Sequence, residues 1–219
     1  LAVIAAGIFA GFVNTLAGGG SLLTLPLLMF LGLPANIANG TNRIGVFIQS
    51  LVSSVSFRRQ NIYTVRESLW MSAPSIVGAL LGALIAVKIN ERVMALLIAG
   101  LLVFMFFVIL YKPEKWLRDQ AQSAIMQRRW WVPVLVFIIG IYGGFIQAGV
   151  GFFLLAALVL GTGMGLTRAN AHKSLIVAVM TAISLVVFVF SNQIYYLYGI
   201  ILAVGQGAGA WLGSKVAVS

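Results

Sequence analysis

The sequence contains no cysteine. Disulfides, thiolate metal sites and thiol relay chemistry are therefore excluded together. It has one histidine, His172, and four acids: Glu67, Glu91, Glu114 and Asp119. So few ligands make a multi-ligand metal site unexpected, and no cofactor is expected either. The acids fall in loops or at helix ends, so no carboxylate proton relay is visible inside the apolar segments. Charge of either sign is scarce. Only 8% of the residues are Asp, Glu, Lys or Arg, against about 25% in a soluble domain.

What fills the chain is apolar. Hydrophobic residues make up 61% of it, in runs long enough to span a bilayer along the whole length. The runs do not alternate polar with apolar, which argues against a β-barrel. The expected fold is all-α, a polytopic membrane protein in a single membrane domain. The net charge of +10 would suggest nucleic acid in a soluble protein. Here Lys and Arg mark cytoplasmic loops beside anionic lipid, so the expected partner is the bilayer and not nucleic acid. The first residue is Leu and no signal peptide is evident, so natural residues are expected to precede it.

Two stretches resemble each other. "GFVNTLAGGGSLL" and "GFIQAGVGFFL" share Gly-Phe, then an amide (Asn14, Gln147), then a glycine cluster. "LGLPANIANGTNR" aligns with "TGMGLTRANAHKS", and "VGALLGALIAVK" with "VGQGAGAWLGSK". Three matches in one order indicate an internal repeat. Residues 1–111 form repeat one and 131–219 repeat two. Between them, "KPEKWLRDQAQSAIMQRRWW" reads as an amphipathic interfacial linker over 112–130. Repeat one has a helix after Lys88 that repeat two has no residues left to match. A last helix is therefore expected in the natural protein.

A continuous helix over 1–32 would be roughly 48 Å long, well beyond the hydrocarbon thickness of about 30 Å. The glycines at 18–20 and 149–151 mark where each such block breaks into two half-helices. If each block dips in and returns, the two repeats are inverted. The 58–66 loop, the linker, Arg168 and Lys215 then share one side, and only Lys88 and Arg92 lie on the other. The positive-inside rule prefers that arrangement. Half-helix N-termini near Ser21 and Gly151 would aim free N–H groups inward, as an anion site requires.

The candidate substrate-binding residues follow from these motifs. They are Asn14, Thr15, Gly18, Gly19, Gly20 and Ser21; Asn39, Thr41, Asn42 and Arg43; Gln147, Gly149 and Gly151; and Asn170, His172 and Lys173. The competing reading makes Asn39 and Asn170 helix caps and lets Arg43 and Lys173 snorkel to an interface. Cations at membrane depth are costly, which favours a function for them. His172 is the one group expected to titrate near neutral pH, which makes the proton the candidate coupling ion. Gly78, Gly82, Gly205 and Gly209 have the small-xxx-small spacing of packed helices.

These motifs together resemble the sulfite exporter TauE/SafE family. The resemblance covers nearly all of the chain outside the linker. It implies an inner-membrane permease exporting sulfite or a small organosulfonate. The second glycine segment is shorter than the first and lacks its Ser and Pro, so unequal half-sites are expected. The overall expectation is a secondary transporter for a small anion, with no catalytic residues. Other small carboxylate or sulfur anions remain alternatives. Two further rivals are an intramembrane serine protease using Ser21 and His172, and a scaffold with no polar cavity at the breaks. The oligomeric state is not legible.

Overall fold

The computed structural model describes residues 2–110 and 130–218. The amphipathic reading of 112–129 falls outside them. The described residues form nine helices and no strand: α1 (Ala2–Leu16), α2 (Ser21–Phe30), α3 (Ala35–Arg59), α4 (Val65–Ala86), α5 (Glu91–Leu110), α6 (Val132–Phe145), α7 (Val150–Thr162), α8 (Leu166–Phe190) and α9 (Tyr196–Val216). By length and composition α4, α5 and α8 can each cross a membrane.

Polarity is inverted relative to a soluble protein. Leu, Val, Phe and Trp cover the outside, including Trp70, Leu96, Phe106 and Phe107. The interior holds Asn39, Thr41, Asn42, Gln49, Ser53, Ser72, Gln147 and Ser184, all buried. Lipid solvates the first set, and the second must find partners inside.

Both glycine-rich blocks break where expected. At α1, 15 residues give a limb of about 22 Å, too short for a core of about 30 Å. The chain turns through 17–20, with Gly18 at φ +95°, and α2 returns. Val3 at the start of α1 packs in one cluster with Leu28 and Met29 at the end of α2. In the second block Ile146 is extended, Gly149 sits at φ +75°, and α7 begins. Gly161 at the end of α7 lies against Val132 at the start of α6. Both blocks therefore dip and return.

Contacts fix the relative directions of the other helices. The N-terminal end of α3 meets the C-terminal end of α8, where Thr41 Oγ1 accepts from the Tyr195 backbone N–H at 2.8 Å. The other end of α3 meets the start of α8, where Phe57 and Ala171 pack together. These two helices run antiparallel. Along α1, Ile4, Ile8 and Phe12 meet Gly205, Gly209 and Gly213 of α9 in step, so those two run parallel. Along α4, Gly78 and Gly82 meet Phe137 and Ile141 of α6 in step, again parallel. A Cβ on Gly82 would fall on the Ile141 carbonyl, and one on Gly209 on the Ile8 carbonyl. The four small-xxx-small glycines thus serve close helix packing.

The two breaks meet each other. A Cβ on Gly18 would overlap the backbone of Gly151, and a Cβ on Gly151 that of Gly18. Neither position has room for one methyl group, and Gly18 also holds a left-handed φ. Gly100 on α5 has nothing within 4 Å of its Cβ direction. Gly151→Ala is expected to lower the melting temperature in detergent by several degrees. Gly100→Ala, which only improves helix propensity, is expected to leave it unchanged or raise it. Differential scanning fluorimetry of both variants checks this.

Candidate functional site

Ending a helix inside the membrane leaves up to four carbonyls and four N–H groups without helical partners. Two cations take up the carbonyl side. Arg43 of α3 is fully buried. Its guanidinium donates to the carbonyls of Gly143 (3.1 Å), Gly144 (2.7 Å) and Phe145 (3.3 Å), the last turn of α6. Asn39 Nδ2, one turn earlier on α3, also donates to Phe145 at 2.8 Å. The Phe188 ring covers the guanidinium, with Cζ 4.3 Å from its centroid. Lys173 of α8 does the same for α1. Its Nζ donates to the carbonyls of Asn14 (3.1 Å) and Thr15 (3.2 Å) and to Asn170 Oδ1 (2.6 Å). Each cation reaches from one half of the chain to the broken helix of the other. Positive charge at a helix C-terminus is favourable.

The starts of the two returning helices border a cavity. Asn14, Thr15 and Ser21 line it from the first break, and Gln147, Val150 and Gly151 from the second. Gln49, Ser50 and Ser53 of α3 and Lys173 and Ser174 of α8 complete most of the wall. Its volume is about 20 Å³, room for about one water. Gln147 donates through Nε2 to Thr181 Oγ1. The Oε1 atoms of Gln147 and Gln49 are buried without hydrogen-bond partners. Their residues are 3% and 4% exposed, so both amides hold unused accepting capacity at the cavity wall. At the opposite wall Thr15 Oγ1 and Ser53 Oγ lie 2.8 Å apart and close that end.

Of the residues singled out by sequence, six share this wall: Asn14, Thr15, Ser21, Gln147, Gly151 and Lys173. Asn170 holds Lys173 from one turn away. Gly18 is the crossing partner of Gly151, while Gly19 packs on the Phe152 ring and Gly20 on the Ala10 carbonyl. Gly149 shapes the second break beneath Met105. Asn39 and Arg43 hold the end of α6. Thr41 receives the Tyr195 N–H, and Asn42 Oδ1 accepts from Thr24 at 2.6 Å. His172 is absent from the wall. Its Nδ1 lies 2.6 Å from Ser68 Oγ on α4.

Sequence reasoning missed Gln49, Ser50, Ser53 and Ser174. The signal was present for α3. Val46, Gln49, Ser50 and Ser53 follow the i, i+3, i+4, i+7 spacing of one helical face. Three of the four are polar inside a long apolar run, so that face must line something wet or pair across an interface.

The chain from residue 3 to residue 219 matches the family model described as "Sulfite exporter TauE/SafE". A "probable membrane transporter protein ORF9" of Sinorhizobium sp. is 29% identical over 98% of this chain and 81% of that protein. The "probable membrane transporter protein YfcA" of Escherichia coli K12 is 29% identical over 96% of this chain and 77% of that protein. A "probable membrane transporter protein" of Haemophilus influenzae is 26% identical over 97% and 83%. No solved structure matches the chain. With the family pattern running through both breaks and the helices that hold them, the chain belongs to the sulfite exporter TauE/SafE family and is an integral membrane transporter.

Proposed function

We propose that the protein is a secondary transporter for a small anion, sulfite or a short organosulfonate, bound where the two helix breaks meet. The carrying observation is the cavity itself. It gathers the Lys173 ammonium, the Gln49 side chain, the Ser21 and Ser50 hydroxyls and the starts of two half-helices at one point. A sulfonate offers three acceptor oxygens to such donors. A cavity of about 20 Å³ is closed around one water-sized body, so an anion of this kind needs the walls to part. The walls belong to two halves, and rocking one against the other would part them.

The antiparallel run of α3 against α8, and the parallel pairs α1 with α9 and α6 with α4, support reading the halves as inverted repeats. Arg58, Arg59, Arg66, Arg168 and Lys215 then gather at one end of the bundle, joined by the Glu67–Arg168 contact of 3.0 Å and by Thr167 Oγ1 donating to the Ala217 carbonyl. Lys88 and Arg92 lie at the other. By the positive-inside rule the first end faces the cytoplasm of a bacterial inner membrane. Cysteine introduced at Gln60 is expected to label only from the cytoplasmic side and cysteine at Asn90 only from the periplasmic side. Labelling of both from one side overturns the topology.

The protease reading has no support in this geometry, because Ser21 lines the cavity while His172 bonds Ser68 elsewhere. A scaffold would have filled the space at the breaks with apolar side chains.

Liposomes carrying the protein are expected to show saturable flux of sulfite or a short alkyl sulfonate, above acetate and chloride. Loss of a hydrogen bond to a charged ligand costs about 1.5–3 kcal/mol. Lys173→Met and Gln49→Leu are therefore each expected to weaken apparent affinity by roughly tenfold or more. Flux no greater than in protein-free liposomes, or unchanged affinity in both variants, overturns the assignment.

Arg43 behaves differently in this reading, because it holds α6 and does not line the cavity. Arg43→Met leaves the Gly143 and Gly144 carbonyls unpaired, at about 1–3 kcal/mol each, while Phe145 keeps Asn39. It is expected to abolish the folded state in detergent, whereas Arg43→Lys is expected to retain part of it. Gel filtration of the purified variants reads this directly.

A further inference from the structure

A second polar cluster lies at the basic end of the bundle, outside the cavity. His172 is fully buried. Its Nδ1 is 2.6 Å from the Ser68 hydroxyl. Its Nε2 has no hydrogen-bond partner and lies 3.8 Å from Oε2 of Glu67. That carboxylate oxygen accepts from Arg168 Nη2 at 3.0 Å and from the Thr64 hydroxyl at 3.4 Å. The Tyr63 ring stands edge-on to the imidazole at 5.5 Å, with its hydroxyl bonded to Ser54. The charges acting on the ring are thus Glu67 from α4 and Arg168 from its own helix. Tyr63 is the titratable group presented by the loop. From α3 and α9 the neighbouring contacts are apolar, through Phe57 and Ala217. Lys173 is next in sequence but turned about 100° around α8, toward α1.

The cluster is one proton short of full pairing. A neutral imidazole carries one N–H. With that hydrogen on Nδ1, the Nε2 lone pair faces a carboxylate. With it on Nε2, the donor stops 3.8 Å from Glu67, beyond hydrogen-bond reach. A second proton makes both nitrogens donors, one toward Ser68 and one toward Glu67, and sets an imidazolium against the carboxylate at ion-pair distance, from which a small approach completes a charge-assisted bond. The route in is short. The Glu67 and Arg168 side chains are 37% and 39% exposed, so water at this mouth can deliver a proton to Nε2.

Every bond in the cluster that could change crosses one seam. Glu67 and Ser68 are on α4, and Arg168 and His172 are on α8. These helices come from the two different halves of the chain. We propose that His172 and Glu67 form a proton-binding site that latches α4 to α8, so that proton occupancy controls opening of the cavity toward the basic end. The proposal rests on the transporter reading and adds its coupling ion. With the proton bound, the imidazolium–carboxylate bond joins the Arg168–Glu67 pair and the seam is closed. When the proton leaves, the seam keeps the neutral His172–Ser68 bond and the half-exposed ion pair, which solvent screens.

A single histidine in a chain without cysteine makes two clean tests available. In protein purified without a histidine tag and labelled at imidazole nitrogen, one resonance reports His172. It is expected to titrate in a single step, with the midpoint moved down in Glu67→Gln and up in Arg168→Gln. For gate opening, a cysteine at Ser53, on the cavity wall, is challenged with a thiol reagent from the basic side. Its labelling rate is compared across pH with the same cysteine in a His172→Gln background, which removes the reagent's own pH dependence. The ratio is expected to rise several-fold as pH passes upward through the His172 midpoint, and to stay flat in Glu67→Gln. An imidazole that does not titrate, a midpoint indifferent to both substitutions, or a flat ratio in the parent overturns the latch. Neither measurement needs a substrate. Absence of anion flux therefore counts against the transport reading alone, and anion flux with a flat ratio counts against the latch alone.

Discussion

The two chain breaks cross at Gly18 and Gly151 with no space between their backbones. Most of the interior follows from that contact. The contact falls where both blocks give way, with Gly18 in the turn after α1 and Gly151 in the first turn of α7. Each stopped helix then exposes carbonyls on one side and N–H groups on the other, in a region where water is not available to pair them. The carbonyl ends are bonded by Arg43 and Lys173, each reaching across from the other half. The starts of the returning helices, at Ser21 and at Val150 and Gly151, line the space between the halves. A small polar cavity at that spot is thus a consequence of how the two breaks are held.

The same constraint explains an interior that would be poor in a soluble protein. Full charges, amides and hydroxyls occupy the centre, and large aliphatic and aromatic side chains face outward. Burying a guanidinium is costly unless it is fully hydrogen-bonded. Arg43 gains three carbonyls and an aromatic face for its two terminal nitrogens, and its Nε alone is left without a partner. The cation does not merely tolerate its position, because the end of α6 needs a donor there as much as Arg43 needs acceptors.

Much of this was legible in the sequence and some was not, for identifiable reasons. The breaks were legible because a block of 32 apolar residues cannot cross a bilayer as one upright helix, and the glycines mark where it gives way. The close pairs were legible from glycine spacing, since that spacing has one common use in membranes. The task of Arg43 was not legible. Its acceptors lie about a hundred positions away, at Gly143 to Phe145, and backbone carbonyls leave no trace in residue type. The separation of His172 from the cavity wall was not legible for a simpler reason. Adjacency to Lys173 in sequence suggested one shared site, yet consecutive residues on a helix point about 100° apart. One faces the cavity and the other faces α4. The polar face of α3 through Gln49, Ser50 and Ser53 carries a helical-spacing signal, but three scattered polar residues in an apolar run fit helix–helix pairing as well as a cavity wall.

The two cations also show why the half-sites differ. Arg43 and Lys173 stand one position apart in the aligned repeats and hold equivalent helix ends, but their chemistry is not equivalent. A guanidinium is a planar fork that fixes several carbonyls at once, and beneath Phe188 it leaves the α6 end rigid. An ammonium is a compact charge on a flexible stem, and Lys173 reaches the α1 end while its side chain still lines the cavity. Under the proposed transport, the lysine is the cation that could exchange a carbonyl for an anion at small geometric cost, and the arginine is not. Lys173 is also carried on the same rigid turn of α8 as His172. Any tilt of α8 that breaks the contact with Glu67 must at the same moment move the ammonium relative to α1. Proton release at the basic end and loosening of the charge at the cavity are thus joined by one turn of helix, with no longer pathway required.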